Sequence, residues 1–477
     1  MSIVHSPVRR NSASGHAVRS VVAHDEPEHH HLRALQDLSS ALPTAEAFAE
    51  AGARLCNAVT TPDFHPGKPV PVGVVADVEG AVLPHMIGND IGCGMRMIVV
   101  EGISDEDLGG SLERHLRHVF FQGGRDIALT GNDRHAILRE GIPGLLESLA
   151  SRREGLLSRL DLARAWLDVD RTCDDGQFPC SRVVGGFEDY AAPSLVHRRD
   201  AILGTIGGGN HFVEFGTVDE MADGRFATAC GLRRGSVVIV VHSGSLDFGQ
   251  HVGSSTREKL AARRALKADY RILSAGEPGY REYLDGHANA ANAAYANRFL
   301  IGLAAVEALS RAVGREIAST LVYDAPHNTV WTDGETVRHR KGACSARGVG
   351  DMKGSPYEWF GEPVILPGSM GDGSWLLRGT GDREGMSSSA HGAGRRLSRQ
   401  EARGAAVVGE ALRVVGPVDL NDRCIRSRPD IVQDAEARLN EEAPAAYRPI
   451  GQVVSPMVEA GLVDRVARIR PILTVKG

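Results

Sequence analysis

The spacing of apolar residues along the chain predicts an alternation of helices and strands. Apolar residues recur at helical intervals over 105–119, 143–170 and 279–313, and the last of these stretches is long and rich in alanine. Val237–Val241 is instead an unbroken run of valine and isoleucine, which is typical of a buried strand, and it leads directly to His242. Such a chain should form a sheet core flanked by helices.

Shorter patterns account for much of the remaining chain. Apolar stretches separated by glycine and proline indicate strands and loops over 61–100 and 361–381, and Thr320–Tyr323 is predicted to be a strand. The tail Val453–Gly477 is predicted to be a helix followed by a strand. Further helices are predicted over 43–56, 254–273 and 399–414.

The N-terminal residues lack this patterning. Residues 1–25 are polar and aperiodic, so they are predicted to form a disordered tail. His29–His31 lies next to acidic residues; this cluster is typical of a solvated helix start, and adventitious metal binding is the alternative. Since the chain has 477 residues, 26–477 is predicted to form one large catalytic domain of the α/β (α+β) class, with a central β-sheet core flanked by helices.

Composition and charge narrow the choice of partners. The net charge is −6 and aromatic residues make up 5% of the chain, which argues against a basic nucleic-acid binder and against a broad base-stacking platform. Any contact with RNA must therefore come from a local basic patch. The candidate patches are Arg395–Arg399, Arg338–Arg347 and Arg465–Arg470.

Cysteine usage and hydropathy point to a cytoplasmic protein. The chain has 7 cysteines, an odd number, and no two of them form a CxxC pair, which argues against a disulfide framework and fits a reducing compartment. No apolar run approaches the ~18 residues that a membrane-spanning helix needs. A cytoplasmic location without membrane contact is expected.

Glycine-rich loops carry a set of candidate metal ligands. The loop GNDIGCG at 88–94 places a carboxylate and a thiol three residues apart, and histidines stand beside glycine-rich loops or at strand ends elsewhere. Any one such histidine is more typical of a structural role, but the set together favours a site for Mn, Fe, Co or Zn, in which a thiolate can bridge two ions. The candidate ligands are Asp90, Cys93, His211, His242 and His327.

His391 is the candidate nucleophile. It lies in SSSAHGAGRRLSR at 387–399, between small residues that allow a phosphate to approach the imidazole, and three arginines follow it. Gly392 and Gly394 leave backbone N–H groups accessible to an anion. A histidine in this setting is suited to covalent attack on phosphorus, and a buried, hydrogen-bonded structural histidine is the alternative.

Together these segments resemble the RtcB family of RNA-splicing ligases, in order over about residues 45 to 477. The matching stretches are HPGK (65–68), GNDIGCG (88–94), GTIGGGNHFVEF (204–215), HSGS (242–245), HN (327–328), KGA (341–343), PGSMG (367–371), HGAGRRLSR (391–399), EAPAAYRPI (442–450) and VARIRPILTVKG (466–477). The resemblance implies that GTP and Mn²⁺ are used to join an RNA end bearing a 2′,3′-cyclic phosphate or 3′-phosphate to an end bearing a 5′-hydroxyl.

The resemblance also implies residue roles. His391 would carry GMP, and Cys93 would bridge two Mn²⁺ ions, one completed by Asp90 and His211 and the other by His242 and His327. The guanosine nucleotide would be held by Asn210, Glu214, Ser369, Gly392, Gly394, Tyr447 and Lys476, and phosphates would be contacted by Lys341, Arg395 and Arg399. A carboxylate such as Glu214 can accept the N–H donors of guanine, which adenine lacks in that arrangement.

Two departures from the family pattern bear on the RNA. The arginine that usually follows HSGS is Leu246 here, and Asp247 comes next. Cys344 and Ser345 replace a polar and basic pair after KGA, with Arg347 as the candidate substitute. The GNDIGCG and HPGK stretches resemble a divergent branch of the family, for which a role in the repair of cleaved RNA is expected. The alternatives are a metal-dependent phosphohydrolase or cyclic phosphodiesterase, and a non-ligating RNA-binding homologue.

Overall fold

Two β-sheets, each built from distant parts of the chain, form the framework of the protein. The structure is a computed structural model that describes residues 8–264, 269–404, 413–420 and 422–477. The helices are α1 (Glu28–Ala41), α2 (Ala45–Glu50), α3 (Pro84–Ile87), α4 (Gly110–Phe121), α5 (Gly131–Ser148), α6 (Leu162–Val169), α7 (Gly224–Ala229), α8 (Asp247–Ala262), α9 (Pro278–Val313), α10 (Arg399–Gly404), α11 (Arg423–Arg426), α12 (Pro429–Glu441) and α13 (Gly451–Glu459).

The strands are short except for a few long ones that run through the sheet centres. They are β1 (Val8–Ala13), β2 (His16–Val21), β3 (Arg54–His65), β4 (Val72–Glu79), β5 (Ala81–Val82), β6 (Gly94–Val100), β7 (Ala128–Leu129), β8 (Arg198–Arg199), β9 (Phe212–Met221), β10 (Val237–Ser243), β11 (Leu273–Ser274), β12 (Ser319–Pro326), β13 (Asn328–Asp333), β14 (Thr336–Lys341), β15 (Ala343–Ser345), β16 (Pro363–Leu366), β17 (Ser374–Gly379), β18 (Ser388–Ala390), β19 (Val414–Val415) and β20 (Val463–Lys476).

The larger sheet has the order β12-β6-β10-β9-β20-β17-β16, with β19 parallel to β20. Its central strands are apolar on both faces, as in β10, where all seven residues are buried, because helices or loops cover each side. The long helix α9 packs on one face and is buried over much of its length. The predicted mixed α/β class with a central sheet flanked by helices is confirmed.

The smaller sheet has the order β1-β2-β3-β4-β14-β13 and is covered by α1 and α2. Leu35 and Leu38 of α1 pack with Phe48 and Phe64 in this core. The disordered tail predicted for residues 1–25 is therefore wrong for residues 8–25, because β1 pairs with β2, and Arg19 and Ser20 of β2 pair in parallel with β3. Residues 1–7 lie outside the described residues. The extent of the catalytic domain stays a prediction.

Several predicted elements need new boundaries. Helix 279–313 and strand 237–241 are confirmed by α9 and β10. The single helix predicted over 143–170 is wrong: α5 ends at Ser148, and α6 begins only after Asp161, whose side chain caps it. The helix predicted over 43–56 ends at Glu50, because Gly52 adopts a φ of +66° in the turn that precedes β3. Of the helix predicted over 399–414, residues 405–412 lie outside the described residues.

Hydropathy and cysteines give two further findings. Among the described helices, none combines the length and apolar character required to cross a bilayer. All seven cysteines are free, as expected from their odd number and wide spacing.

Candidate metal centre and nucleotide pocket

The candidate metal ligands are brought together because they lie at one edge of the larger sheet. In the centre of that edge, His242 of β10 stands opposite Met95 of β6 and Phe212 of β9. Cys93 directly precedes β6 and His211 directly precedes β9. His327 follows β12, whose last residue pairs with Gly94. Antiparallel pairing thus places Cys93 and His327, which are 234 positions apart in the sequence, at the same edge of the sheet.

Cys93 lies at the centre of this cluster. Its Sγ is 3.4 Å from Nε2 of His211 and 3.2 Å from Nε2 of His242. Asp90 Oδ2 lies 3.2 Å from the same His211 nitrogen, and the ring of His327 lies 5.2 Å from that of His242 between centroids. The ligand atoms of Cys93, His211 and His242 are all within 4.8 Å of one another, a spacing that suits a metal ion.

Hydrogen bonds to backbone carbonyl oxygens orient two of these imidazoles. His211 Nδ1 lies 3.1 Å from the carbonyl oxygen of Ile206, and His242 Nδ1 lies 3.1 Å from that of Asn210. A carbonyl can only accept, so Nδ1 carries the proton in both rings and Nε2 presents a lone pair toward Cys93. The buried Nδ1 of His327 has no hydrogen-bond partner among the described residues, which leaves a donor atom for a cation.

Burial gives the cluster the protonation states that a divalent cation needs. It lowers the pKa of His242 and of His327 well below the ordinary range, so both rings are neutral at pH 7. Burial, followed by the charge of Asp90, raises the pKa of the Cys93 thiol well above its ordinary value. A divalent cation would reverse that last shift and hold the sulfur as thiolate. The donor set thus fits a metal centre.

Helix α9 fixes the loops that carry the ligands. Its buried Arg298 donates from Nη1 to the carbonyl oxygens of Gly92 (2.6 Å) and Ser243 (3.2 Å), and from Nε to Asp324 (2.8 Å). Only glycine fits at position 94, because a Cβ there would lie 2.4 Å from the carbonyl oxygen of Ala325. These contacts hold Cys93 rigidly between α9 and β12.

A cavity of about 630 Å³ opens beside the cluster. Every site residue predicted from the sequence lines it except His211, which lies just behind Cys93. The predicted residues along its wall are Asp90, Cys93, Asn210, Glu214, His242, His327, Lys341, Ser369, His391, Gly392, Gly394, Arg395, Arg399, Tyr447 and Lys476. The volume is in the range of pockets that hold small organic ligands.

His391 lies between the metal cluster and the rest of the cavity. Its ring centroid is 4.8 Å from that of His327. The buried Asp63 accepts from both the ring Nδ1 of His391 (2.6 Å) and its backbone N–H (3.1 Å), and Thr61 donates to the other carboxylate oxygen (2.5 Å). Burial raises the pKa of Asp63, but His391 and Thr61 outweigh it, so the pKa lies below its ordinary value.

The orientation of His391 leaves one nitrogen available for chemistry. Because Nδ1 donates to a carboxylate, Nε2 carries the lone pair, and Nε2 has no hydrogen-bond partner among the described residues. A carboxylate behind an imidazole also stabilises positive charge that develops on the ring. The arrangement is compatible with a nitrogen nucleophile and differs from that of a structural histidine with both ring nitrogens hydrogen-bonded.

Glu214 and Lys476 line the other end of the cavity. Ser374 and Thr474 donate to the Glu214 carboxylate at 3.4 and 3.3 Å. Burial raises the pKa of Glu214 to about 7, and these hydroxyls offset the effect only in part. Burial lowers the pKa of Lys476 to about 8, although Glu442 lies 3.8 Å from its Nζ. Both groups are thus poised to change charge near neutral pH.

The predicted phosphate contacts are engaged with protein groups. Arg395 Nη1 lies 3.3 Å from Glu442 and donates to the hydroxyl of Tyr447 at 2.9 Å. Arg399 lies 3.7 Å from the carboxylate of Glu442, and the buried Lys341 donates to the carbonyl oxygen of Ile87 at 2.8 Å. A phosphate would have to compete with these partners.

The two departures from the family pattern have clear structural settings. Leu246 adopts a φ of 52°, and its Cδ2 would lie 2.7 Å from a Cβ on Gly207, in the loop that leads to His211. Arg347 does not line the cavity: its guanidinium pairs with the buried Glu362 at 3.0 Å and with Asp174 at 3.3 Å. The expectation that Arg347 substitutes for a phosphate contact is wrong, because a buried carboxylate already holds it.

Three residues that position groups of the candidate site were not predicted from the sequence. Asp63 orients His391, Glu442 gathers Arg395, Tyr447 and Lys476, and Arg298 holds the metal loops. Asp63 stands only two residues before the HPGK motif, so proximity to a motif was the signal that it offered. Arg298 could have been noticed as a charge in the middle of an alanine-rich helix.

Comparisons with known proteins place most of the chain in one family. A family model described as tRNA-splicing ligase RtcB matches residues 45–477. A tRNA-splicing ligase RtcB of Pyrobaculum aerophilum is 32% identical over 450 residues, which cover 88% of this chain and 87% of the relative. An RNA-splicing ligase RtcB of Mycobacterium bovis is 31% identical over 441 residues, covering 87% and 96% of the two chains.

A third relative, a tRNA-splicing ligase RtcB of Thermococcus kodakarensis, is 31% identical over 456 residues, covering 88% of this chain and 87% of its own. The family match includes the metal cluster, the His391 loop and the C-terminal lysine strand. Because it extends over most of the chain, the protein belongs to the RtcB family of RNA-splicing ligases.

Proposed function

We propose that this RNA ligase uses GTP and Mn²⁺ to join an RNA end bearing a 2′,3′-cyclic phosphate or 3′-phosphate to an end bearing a 5′-hydroxyl. The observation that carries the proposal is the position of His391. Its Nδ1 is held by Asp63, its Nε2 is free, and it lies between the Cys93 cluster and the polar end of the cavity. A phosphorus atom bound there would meet a nucleophile on one side and cations on the other.

In the first step, the lone pair of His391 Nε2 attacks the α-phosphorus of GTP. An N–P bond forms, the bond from the α-phosphorus to the bridging oxygen breaks, and pyrophosphate leaves with that electron pair. Asp63 accepts a hydrogen bond from Nδ1 throughout this step and stabilises the positive charge that develops on the ring. Asn210, Ser369, Gly392, Gly394 and Tyr447 would position the nucleotide from the cavity wall.

In the later steps, an oxygen of the RNA 3′-phosphate attacks the same phosphorus and the N–P bond breaks, which returns the electron pair to His391. A 2′,3′-cyclic end must first be opened by water. The 5′-hydroxyl oxygen then attacks the RNA phosphorus, GMP leaves, and the hydroxyl proton is released. Lys341, Arg395 and Arg399 would exchange their present partners for phosphate oxygens.

Asp90, Cys93, His211, His242 and His327 would hold two Mn²⁺ ions, with Cys93 between them. When bound, such ions offset negative charge at the attacked phosphorus. The ring of the proposed ligand His327 lies 4.8 Å from that of His391 between centroids, which supports this role. Cysteines that remain free support the proposal that the protein acts in the cytoplasm.

Two alternatives are disfavoured by the residues present. A phosphohydrolase or cyclic phosphodiesterase would not need a nucleotide pocket, which the buried Glu214 and Lys476 in the same cavity as His391 support. A non-ligating RNA-binding homologue would not need the buried group of Cys93, His211 and His242, whose spacing suits a metal ion. Incubation with Mn²⁺ and α-labelled GTP tests the proposal: protein-bound label and joined RNA support it, whereas RNA hydrolysis without label would establish the hydrolase.

Glu214 should make GTP binding depend on pH. Its carboxylate, whose pKa is about 7, must be ionised to accept the N–H donors of guanine, so the KM for GTP should rise as pH falls below 7. Well below pH 7, the KM for GTP should rise by about 10-fold for each unit that the pH falls. Lys476, whose pKa is about 8, loses its charge at higher pH, so binding should be tightest between these values.

The measurement is the KM for GTP in protein labelling over roughly two units on either side of neutrality. Glu214→Gln should remove the acid limb and raise the KM about 10- to 100-fold, since donors of guanine lose a charged acceptor. Lys476→Met should remove only the alkaline limb. A flat profile in the wild type would disprove this role of Glu214.

Leu246 should limit ligation of generic RNA ends. An arginine there would add a charge-assisted contact to phosphate of about 1–3 kcal/mol, which leucine cannot make. We expect Leu246→Arg to raise ligation roughly 10-fold, with little change in labelling by GTP. Leu246→Met is the matched control, because it keeps the positive φ and the apolar contact with the Gly207 loop but adds no charge. Equal ligation by both variants would show that position 246 does not face the RNA.

A further inference from the structure

Helix α1 lies at the mouth of the cavity. His30 and Arg33 of this helix are among the residues that line the cavity, and both are exposed. The match to the family model begins at residue 45, so β1, β2 and α1 precede the region that defines the family. An element outside that region thus contributes side chains to the candidate active site.

A buried ion pair fixes this element to the nucleophile loop. Arg448 Nε lies 2.6 Å from Glu26 just before α1, and both side chains are at most 6% exposed. The same guanidinium donates to the carbonyl oxygens of Phe64 and Arg395, each at 3.4 Å. Because Arg395 follows His391 by four residues, α1 is held in a set position relative to the nucleophile.

The face of α1 that points to the mouth is set by packing. Ala34, Leu35 and Leu38 are buried in the core of the smaller sheet, and His31 is buried beside them. The opposite face therefore carries His30 and Arg33 outward. The three histidines at the helix start are thus not equivalent, since His31 is a core residue and His30 lines the cavity.

Available positive charge at the mouth comes from Arg33 and from Arg396, which belongs to the basic patch Arg395–Arg399 predicted from the sequence. Arg395 and Arg399 are near Glu441 and Glu442. By contrast, Arg33 and Arg396 line the same cavity and form no ion pair within the described parts of the chain. Hydrogen bonds from Ser398, and then the charges of Arg33 and His30, lower the pKa of Glu401. The carboxylate of Glu401 in turn lowers the positive potential at the mouth.

We propose that Arg33 of α1 and Arg396 of the nucleophile loop form a pair of RNA-backbone contacts at the cavity mouth, with His30 beside them. This inference rests on the proposed function, in which an RNA end enters the cavity. The reacting phosphate lies inside, next to His391, and the rest of the strand must leave across the mouth. Exposed arginines that form no ion pair with the described residues suit the phosphates of that departing strand.

Arg33 and Arg396 could instead bind the outer phosphates of GTP. Their exposure at the opening of the cavity, away from the buried nucleotide groups, favours RNA. Glu214 and Lys476, the groups suited to the nucleotide, are nearly buried. Arg33 and Arg396 are exposed at the opening and belong to different elements of the chain. An RNA strand is long enough to contact both after it has left the cavity.

The test compares RNA affinity without catalysis. Binding of a short single-stranded RNA with a 3′-phosphate is measured at several salt concentrations, without GTP, for the wild type, Arg33→Ala, Arg396→Ala and the double variant. Each single change should weaken binding roughly 3- to 10-fold and reduce the slope of log K against log salt by about 0.7. Arg10→Ala is the matched control, because Arg10 is exposed in β1 and does not line the cavity.

The outcomes separate this inference from the proposed function. A double variant that binds RNA like the wild type, or a control that weakens binding equally, would overturn the role of these arginines. So would a rise in the KM for GTP as large as the loss of RNA affinity, since the cations would then serve the nucleotide. If the wild type is never labelled by GTP, the proposed function fails, but the RNA comparison still decides the inference. Equal thermal unfolding midpoints in all variants establish that folding is unchanged.

Discussion

His391→Ala is expected to abolish covalent labelling of the protein by α-labelled GTP in the presence of Mn²⁺. The free Nε2 of this residue is the nucleophile proposed for the α-phosphorus, and the other histidine next to it, His327, is a proposed metal ligand. The label on the wild type should be lost in acid, because protonation of a phosphoramidate nitrogen makes imidazole a good leaving group. The measurement is radioactivity that stays with denatured protein.

Two further variants sharpen this prediction. Asp63→Asn keeps the size of the side chain but removes the charge that orients and stabilises the ring, so labelling should slow by on the order of 10²- to 10⁴-fold without being abolished. His29→Ala, an exposed histidine that does not line the cavity, should label normally. Label that persists on His391→Ala at the wild-type rate would show that another residue accepts the nucleotide.

The sequence was most informative where function imposes local chemistry. Cys93, His242 and His327 could be selected because glycines or strand ends stand beside them, and the structure brings all three together. Helical spacing of apolar residues likewise predicted α9, and an unbroken apolar run predicted β10. Their meeting could not be derived from spacing, since it depends on which strands pair in the sheet.

The predictions that failed concern residues whose structural partners are distant in the sequence. His16–Val21 carries polar residues and no clear period, and becomes a strand because β1 and β3 pair with it. Arg347 looks like a phosphate ligand in the sequence, but Glu362 holds it away from the cavity. Asp63 has no motif of its own, and only the fold places it against a residue 328 positions away. Such pairings are tertiary and leave no local pattern.

Cys93→Ala is expected to remove both metal ions rather than one. Cys93 Sγ lies between the Nε2 atoms of His211 and His242, at 3.4 and 3.2 Å, so a thiolate there can contact an ion on each side. Loss of the sulfur removes a ligand and a negative charge from both positions, and affinity for each ion should fall by on the order of 10²-fold or more. Asp90→Ala, which touches only the His211 side, should weaken mainly one ion.

The measurement is metal content after dialysis against limiting Mn²⁺, followed by titration calorimetry. Cys230→Ala is the control, because that cysteine is also buried but packs in the sheet core away from the cavity. Since burial keeps the Cys93 thiol protonated in the absence of a cation, binding to the wild type should release a proton and strengthen as pH rises, and this dependence should weaken in Cys93→Ala. Two ions that remain bound to Cys93→Ala with wild-type affinity would refute bridging, and loss of one ion alone would assign the sulfur to a single site.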